Sequence, residues 1–249
     1  MALRGSERLF TIVEKLSREP MNLTQVAEAV DLPKSTALRF LRDLEEAGWV
    51  ARDNSGVYSL GATVVGLAAQ YIAHNEMVAA AAPAMRDLRD KIDETVSLSR
   101  RVGLIRVCVQ EFPSKKPLRL VLGVGERGPL HAGASGILLY AHMPYEERRR
   151  VAEDGLERYT KRTLVDFDAL EKEAEKVRRQ GWSITKGSRT EGGVAIAVPL
   201  SDPGDDGEIA ALGLFGPELR CSTRAEQERW LRALLQTAES IQTAMTSFG

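Results

Sequence analysis

Residues 32–50, LPKSTALRFLRDLEEAGWV, bring together side chains that bind anions. Lys34 and Arg39 carry positive charge, and the hydroxyl groups of Ser35 and Thr36 donate hydrogen bonds. These four residues fall within about two turns of a predicted helix, where free backbone amides near the helix start also favour an anion. Groups of this kind suit phosphate oxygens and the polar edges of bases. The same pattern also fits an amphipathic helix whose outer face is only solvated.

The elements around this helix help to decide between the two interpretations. Apolar spacing predicts one helix over residues 6–18, a second short helix capped by Thr24, and a third from Pro33 to Gly48. The third helix buries one apolar stripe: Ala37, Phe40, Leu41 and Leu44. Residues 49–61, WVARDNSGVYSLG, predict a β-hairpin that turns at its glycine. A helix-turn-helix followed directly by such a hairpin is a winged helix, and its last helix enters the major groove of DNA.

Charge placement, rather than total charge, supports DNA binding. The whole chain has a formal net charge of −1, and residues 1–60 hold eight Lys or Arg against nine Asp or Glu. Most of these cations lie at the N-terminus, on the third helix or just after it: Arg4, Arg8, Lys34, Arg39, Arg42 and Arg52. We assign DNA contacts to the following residues: Thr24, Lys34, Ser35, Thr36, Arg39, Arg42, Arg52 and Tyr58. Sequence alone leaves open whether Arg39 reads a base or binds a phosphate.

The rest of the chain predicts an α+β fold. From Gly61 the sequence is helical again, with a predicted break at Pro83. Apolar patterning predicts strands at residues 95–101, 104–112, 118–124, 182–187, 193–202 and 209–217, and helices at residues 132–143, 145–153, 167–181 and 224–245. We therefore divide the chain into a winged helix-turn-helix domain (residues 1–60), a linker and dimerisation helix (61–78) and a C-terminal domain with a mainly antiparallel sheet (79–249).

The composition is that of a globular protein, with 43% hydrophobic and 28% charged residues. We find neither a signal peptide nor an apolar stretch long enough to span a membrane, so we expect a cytoplasmic protein without a membrane partner. Cys108 and Cys221 lie in separate apolar segments and are predicted to be buried thiols. The three histidines are too scattered to form a metal site, and we expect neither a metal nor a cofactor.

Two further motifs have chemical interpretations. The run GVGERG, residues 123–128, has the spacing of a dinucleotide-binding loop, but an extended segment rather than a helix follows it, and turn glycines explain it better. Ser135 follows His131 closely and suggests a hydrolase nucleophile, yet HAGASGIL lacks the strained elbow that such a serine needs. Small residues at a helix start also leave room for a packing neighbour or for the carboxylate of a ligand.

Taken in order, several segments resemble the IclR-type bacterial transcription regulators over nearly the whole chain. They are ERLFTIVEKLS, LTQVAEAVDLPKSTALRFLRDLEEAGWV, RDNSGVYSLG, GERGPLHAGASGILLYA, RYTKRTL, VRRQGWSI, GVAIAVPLSD and IAALGLFGP. The resemblance implies an N-terminal winged helix, a linker helix used in dimerisation, and a C-terminal GAF-like α/β domain that binds an effector. It also implies dimers or pairs of dimers, operators with inverted symmetry, and no catalytic role.

The resemblance further assigns an effector pocket. In such regulators the pocket is lined from the helix start after PLHA, from the strand after the pair that is Gly181-Trp182 here, and from two late strands. We assign these residues to it: Leu120, Ala134, Ser135, Thr185, Ala195, Gly213 and Phe215. The family more often has an acid, a cysteine and two serines at the last four positions. These departures predict a less polar pocket, suited to an aromatic or more apolar organic acid rather than to a small keto acid.

We therefore interpret the chain as a sequence-specific transcription regulator, a repressor or an activator, that binds double-stranded operator DNA as a homodimer and responds to a small-molecule effector. Two alternatives stay open. One is a hydrolase-like C-terminal domain that uses Ser135 and His131. The other is a regulator whose C-terminal domain contacts proteins and binds no ligand.

Overall fold

The computed structural model describes residues 5–201 and 209–246, which form two compact units that divide between Asn75 and Glu76. Arg4 and Asp202, which entered the sequence predictions, lie outside the described residues. Both units combine helices with antiparallel sheet, so the predicted α+β class is confirmed. No helix within the described ranges has the length and apolar character needed to cross a bilayer.

The first unit is a helix-turn-helix followed by a hairpin. Its helices are α1 (Gly5–Leu16), α2 (Leu23–Ala29), α3 (Lys34–Glu46) and α4 (Ala62–His74), and its strands are β1 (Met21–Asn22), β2 (Val50–Arg52) and β3 (Val57–Leu60). Strand β3 lies between β1 and β2 in a small antiparallel sheet. We call the hairpin β2–β3 the wing. The predicted helices and hairpin are thus confirmed.

The apolar stripe of α3 is buried as predicted: Ala37, Phe40, Leu41 and Leu44. It packs against Ile12 of α1, Val26 of α2 and Tyr58 of β3. Each large apolar side chain buried in this way contributes about 1.5–3 kcal/mol, so these contacts fix α3 against its neighbours. The helix ends before Gly48, whose φ of +73° is a conformation that glycine adopts without strain.

Helix α2 is capped by Asn22, not by Thr24 as predicted. The Asn22 side chain accepts a hydrogen bond from the Gln25 amide (3.1 Å), and the Gln25 side chain accepts one from the Asn22 amide (2.8 Å). Asn22 and Thr24 are both suitable cap residues, but only Asn22 has a glutamine three positions later to complete a capping box. Thr24 therefore lies inside the first turn of α2, where it is partly buried.

The helical region after the wing divides at Asn75, so the predicted break at Pro83 is wrong. Asn75 has extended backbone angles (φ −90°, ψ 101°), and helix α5 (Glu76–Ile92) runs through Pro83. A proline inside a helix removes one amide and crowds the carbonyl four residues earlier. That residue, Ala79, is exposed, so water is available to its carbonyl group and the helix continues.

The second unit is built on a six-stranded antiparallel sheet. After α5 it contains β4 (Thr95–Val102), β5 (Ile105–Phe112), β6 (Arg127–Pro129), α6 (Ala134–Ala141), α7 (Tyr145–Glu153), α8 (Phe167–Gln180), β7 (Ser183–Lys186), β8 (Gly193–Ser201), β9 (Ile209–Pro217) and α9 (Arg224–Thr246). The strand order is β6-β5-β4-β9-β8-β7. Helices α5 and α9 pack on one face of this sheet, and α6 and α8 pack on the other. Both faces are therefore covered.

Residues 118–124 are not a strand, although their sequence predicts one. Side chains of the neighbouring strands satisfy their backbone: the Glu111 carboxylate accepts hydrogen bonds from the amides of Leu122 (2.8 Å) and Gly123 (3.0 Å), and the Thr95 hydroxyl donates to the Leu120 carbonyl (2.6 Å). The edge of the sheet is instead β6, which pairs with β5. We call residues 113–126 the connecting segment.

Both cysteines are buried thiols, and we expect neither to react with an aromatic disulfide reagent in the folded protein. Burial is the main cause that raises the pKa of Cys108 to about 12 and that of Cys221 to about 11. Only the thiolate attacks such a reagent, so near neutral pH both side chains should stay unreactive until guanidinium unfolds the chain. A Ser55→Cys variant, at an exposed position, should react at once as a control. Rapid labelling of the native wild-type protein would contradict the burial of these thiols.

Candidate functional site

The outer face of α3 carries the cationic and hydroxyl side chains that the sequence singles out. Lys34, Ser35, Arg39 and Arg42 are exposed, and Thr36 is partly exposed. They begin directly after Pro33, where the first amides of the helix have few partners within it. The buried stripe of α3 orients the helix so that this face points away from the core of the first unit. The arrangement suits contact with a polyanion.

The wing adds one exposed cation and a rigid turn. Arg52 is exposed and lies 5.5 Å from the centroid of the Tyr58 ring. Asp53 accepts hydrogen bonds from the Ser55 hydroxyl (2.7 Å) and the Val57 amide (2.9 Å), and these bonds lower its pKa. The carboxylate therefore stays ionised and fixes the turn. Tyr58 is only 1% exposed and belongs to the core, so its assignment as a DNA contact is wrong.

The second unit contains a pocket of about 210 Å³ between the start of α6, strands β7 to β9 and the connecting segment. Most of the residues that the sequence assigns to an effector site line it: Leu120, Ala134, Ser135, Thr185, Ala195 and Phe215. Thr185, Ala195 and Phe215 are register partners across β7, β8 and β9, so their side chains share one face of the sheet. They form the floor of the pocket.

Gly213 is the exception, because it does not line the pocket. A Cβ atom at this position would lie 2.8 Å from Ser135 Oγ and 3.2 Å from Ser97 Oγ, so the first turn of α6 and the neighbouring strand cover it. Ser97 is fully buried and its hydroxyl has no hydrogen-bond partner among the described residues. Gly213 thus lets α6 approach the sheet and does not present a surface to a ligand.

The start of α6 faces the pocket through Ala134 and Ser135. Gly133, with a φ of +81°, turns the chain into the helix, and its amide donates to the Ser188 hydroxyl (3.0 Å). His131 is engaged elsewhere: its Nε2 lies 2.9 Å from the Glu157 carbonyl, and its ring stacks on Tyr159. No hydrogen bond joins His131 to Ser135 in the described chain, so these two residues do not form a nucleophile and base.

The segment RYTKRTL, residues 158–164, holds the pocket wall that carries Ser188. The Thr163 hydroxyl donates to the Ser188 carbonyl (2.8 Å) and accepts the Thr160 amide (2.9 Å), while the Thr160 hydroxyl donates to the Gly187 carbonyl (2.6 Å). Both threonines are buried. Removing one of these hydroxyls would lower the stability of the fold by about 1–3 kcal/mol for each buried polar group that loses its partner. They therefore fix residues 187 and 188 relative to the start of α6.

Two arginines of the pocket were missed by the sequence interpretation. Arg106 is the second residue of β5 and is 4% exposed, and Arg189 follows Ser188 in the loop between β7 and β8. Arg106 was detectable in principle, because a cation inside the apolar run IRVCV needs a buried partner. Arg189 gave no such signal, because its surroundings in sequence are those of an ordinary polar loop.

The glycine run at residues 123–128 forms turns. Gly123 and Gly125 have φ values of +91° and +87°, and strand β6 follows instead of a helix. A dinucleotide site needs the N-terminus of a helix at this point, so the run does not form one. Within the residues that the structure describes, no three His, Cys, Asp or Glu side chains are grouped as metal ligands.

Comparisons with known proteins identify the family. Residues 7–54 match the model of the IclR helix-turn-helix domain, and residues 69–243 match that of the bacterial transcriptional regulator IclR C-terminal domain. The HTH-type transcriptional repressor AllR of Escherichia coli (strain K12) is 31% identical over 247 residues, which cover 96% of this chain and 89% of AllR.

Solved structures share the fold. An IclR transcriptional regulator from Alicyclobacillus acidocaldarius superposes with a TM-score of 0.85 at 24% identity and covers 98% of this chain and 100% of its own. An IclR homologue from Microbacterium hydrocarbonoxydans, solved as a complex with 4-hydroxybenzoate, gives a TM-score of 0.80 at 24% identity, with 96% of this chain and 98% of its own covered. The two family models and the AllR relative span nearly the full chain, which therefore belongs to the IclR family of bacterial transcriptional regulators and is a DNA-binding regulator rather than an enzyme.

Proposed function

We propose that this regulator binds operator DNA as a homodimer, or as a pair of dimers, and that a small organic acid with a ring or branched apolar body controls the binding. The observation that carries the proposal is the pocket, whose floor is apolar where Ala195 and Phe215 lie and whose wall contains the start of a helix. In this proposal residues 1–60 bind DNA in the cytoplasm, residues 61–78 link and pair the subunits, and residues 79–249 bind the effector.

The DNA-binding part of the proposal rests on α3. An α-helix fills the major groove, and residues in its first turns reach base edges and flanking phosphates. Lys34, Ser35 and Arg39 are exposed there. Arg42 and Thr36 extend the same surface, and Arg52 on the wing is available to a neighbouring phosphate. Thr24 lies at the start of α2, where a partly exposed hydroxyl suits a backbone contact.

The effector part of the proposal rests on the chemistry of the floor. Phe215 is 8% exposed and offers an apolar ring, and the amides of Ala134 and Ser135 at the start of α6 favour a carboxylate. The relative from Microbacterium hydrocarbonoxydans binds 4-hydroxybenzoate, which supports a ring-bearing acid for this chain as well. A compact keto acid would leave its carbonyl unpaired against apolar surface, at a cost of about 1–3 kcal/mol.

The dimer part of the proposal rests on α4, which buries none of its side chains in the described chain. Four large apolar residues are exposed on it: Val65 (71%), Leu67 (49%), Tyr71 (45%) and Ile72 (37%). Apolar surface of this extent usually marks a contact with a partner. A second copy related by two-fold symmetry would present two α3 helices to an operator of matching symmetry.

We expect Arg39→Ala to weaken DNA binding while the protein stays folded. If Arg39 reads a base, the loss should be about 1–3 kcal/mol and should fall at one operator position. If it binds a phosphate, affinity should fall for every sequence and the salt dependence should become shallower. Fluorescence anisotropy on sites selected from a randomised DNA pool measures the affinity for each sequence and its salt dependence. Arg18→Ala, at an exposed arginine of the first unit outside α3, is the control, and an Arg39→Ala variant that binds like it would exclude α3 as the recognition helix.

We expect Leu67→Glu to weaken dimerisation at least about tenfold, because a carboxylate would have to be desolvated in the contact. Sedimentation or light scattering across micromolar concentrations gives the dissociation constant. Gln70→Glu adds the same charge at an exposed polar position of α4 and should change it little. A monomeric wild-type protein, or equal behaviour of the two variants, would exclude α4 as the dimer contact.

We expect ring-bearing acids to bind more tightly than small keto acids. A thermal-shift panel of glyoxylate, pyruvate, 4-hydroxybenzoate and phenylacetate, followed by calorimetry and a DNA-release assay, tests this; one site at 100 times its Kd adds about 2.7 kcal/mol of stability. Phe215→Ser should remove the preference for rings, whereas Leu219→Ser, at a residue that is 83% exposed, should keep it. If pyruvate bound most tightly, or if Phe215→Ser kept the preference for ring-bearing acids, the apolar floor would not be what selects the ligand. If no acid changed the stability of the wild-type protein, the C-terminal domain would be a protein-contact module instead.

A further inference from the structure

The pocket wall carries an excess of positive charge. Among the pocket residues that the structure describes, Arg106 and Arg189 are the charged ones, and both are cations. Glu126 lies beside both of them but is not part of the lining. Two guanidinium groups therefore share one carboxylate, which leaves a net charge of +1 in this group of three.

Arg106 makes the closer of the two ion pairs with Glu126. Its Nη2 lies 2.5 Å from Glu126 Oε2, and its Nη1 donates to the Ser99 hydroxyl (3.2 Å). A Cβ atom at Gly128 would overlap the Arg106 guanidinium, so glycine at this position provides the space that the group occupies. Burial strengthens a short, charge-assisted pair of this kind. Arg106 and Glu126 thus form a fixed pair in the wall.

Arg189 is held by stacking and has little counter-charge. Its guanidinium carbon lies 3.9 Å from the centroid of the Tyr159 ring, whereas its Nη2 is 3.8 Å from Glu126 Oε1. Tyr159 stacks in turn on His131. The Glu157 carboxylate beside the Tyr159 hydroxyl is exposed and outside the pocket lining. A planar guanidinium stacked on a ring keeps its edge free for a carboxylate.

Arg189 is also close to the start of α6. A Cβ atom built at Gly133, the residue before the helix, would lie 3.6 Å from Arg189 Cβ. The backbone that carries Arg189 therefore lies beside the residue that precedes α6, while Phe215 and Ala195 lie on the floor. A ligand with an acid group at one end and an apolar body at the other matches this division.

We propose that the effector binds as a monocarboxylate whose acid group pairs with Arg189, and that Arg106 keeps this arginine available by engaging Glu126. The proposal rests on the proposed effector function and specifies its chemistry. Glu126 competes with the ligand for Arg189 at 3.8 Å, and Arg106 limits that competition by holding Glu126 at 2.5 Å. The ligand class is thus an acid with one carboxylate and an uncharged apolar remainder.

Matched acids and amides test the proposal, because an amide keeps the shape of its acid and removes the charge. Calorimetry with benzoate, 4-hydroxybenzoate and phenylacetate, each against its amide, should show each acid that binds the wild-type protein binding about 10- to 100-fold more tightly than its amide. Arg189→Gln should reduce that ratio to near one. Arg189→Lys should keep part of the ratio, because it keeps the charge and loses the planar stack. Arg149→Gln, at an exposed arginine of α7, should leave the ratio unchanged.

Glu126→Gln should change acid binding in the opposite direction from Arg189→Gln. Removing the competing carboxylate should tighten the binding of the same acids several-fold and leave the amides unchanged. Thermal unfolding of each variant without ligand checks that it is folded. The proposal is overturned if Arg189→Gln keeps the preference for acids, or if the wild-type protein binds amides as well as acids. If the wild-type protein binds no acid and no amide, both the proposed effector function and this inference fail. Specific binding to the operator without any ligand would then still support the DNA-binding part of the proposed function.

Discussion

Close contact between the first turn of α6 and the sheet sets the geometry of the pocket. A Cβ atom at Gly136 would lie 2.5 Å from the Pro129 carbonyl oxygen, and one at Gly213 would lie 2.8 Å from Ser135 Oγ. Both positions therefore depend on glycine for the observed spacing. Beneath the helix, Ala197 and Ala211 are similarly small and fully buried. Because the helix lies this near to the sheet, its first amides open toward the same space as the side chains of the floor.

The loop on the other side of the pocket is tied to the same helix. The Thr163 hydroxyl donates a hydrogen bond to the Ser188 carbonyl, and the Gly133 amide at the start of α6 donates one to the Ser188 hydroxyl. Each of these groups is buried or partly buried and has a partner, so a shift of the loop would leave at least one of them unsatisfied. Polar contacts thus fix the wall that contains Ser188, and small residues fix the wall formed by the start of α6. Because the pocket is preorganised in this way, less entropy is lost when a ligand binds.

Much of this architecture was predictable, because simple periodicities dominate it. The stripe of α3 repeats at helical spacing, and β8 alternates between the two helix layers, with Ile196 on one side and Ala197 on the other. Other predictions failed where a side chain from another element determines the local structure. Glu111 satisfies the amides of residues 122 and 123, which a strand ladder would otherwise pair. Tyr58 resembles an exposed wing residue in sequence, but its neighbours in the core are contributed by other elements. Arg189 belongs to the pocket only because Tyr159, thirty residues earlier, supplies the ring on which it lies.

The connecting segment has a consequence for how ligand preference can change over evolution. Its backbone is held by Glu111 and Thr95, which belong to the strands, whereas its own side chain at Leu120 reaches the pocket. Exchanging Leu120 for another side chain removes no backbone hydrogen bond and disturbs no strand register. The scaffold and the selective surface are therefore encoded by different residues at this point. A duplicated copy of this regulator can acquire a new ligand through substitutions in the segment, while the sheet that gives the domain its stability stays as it is.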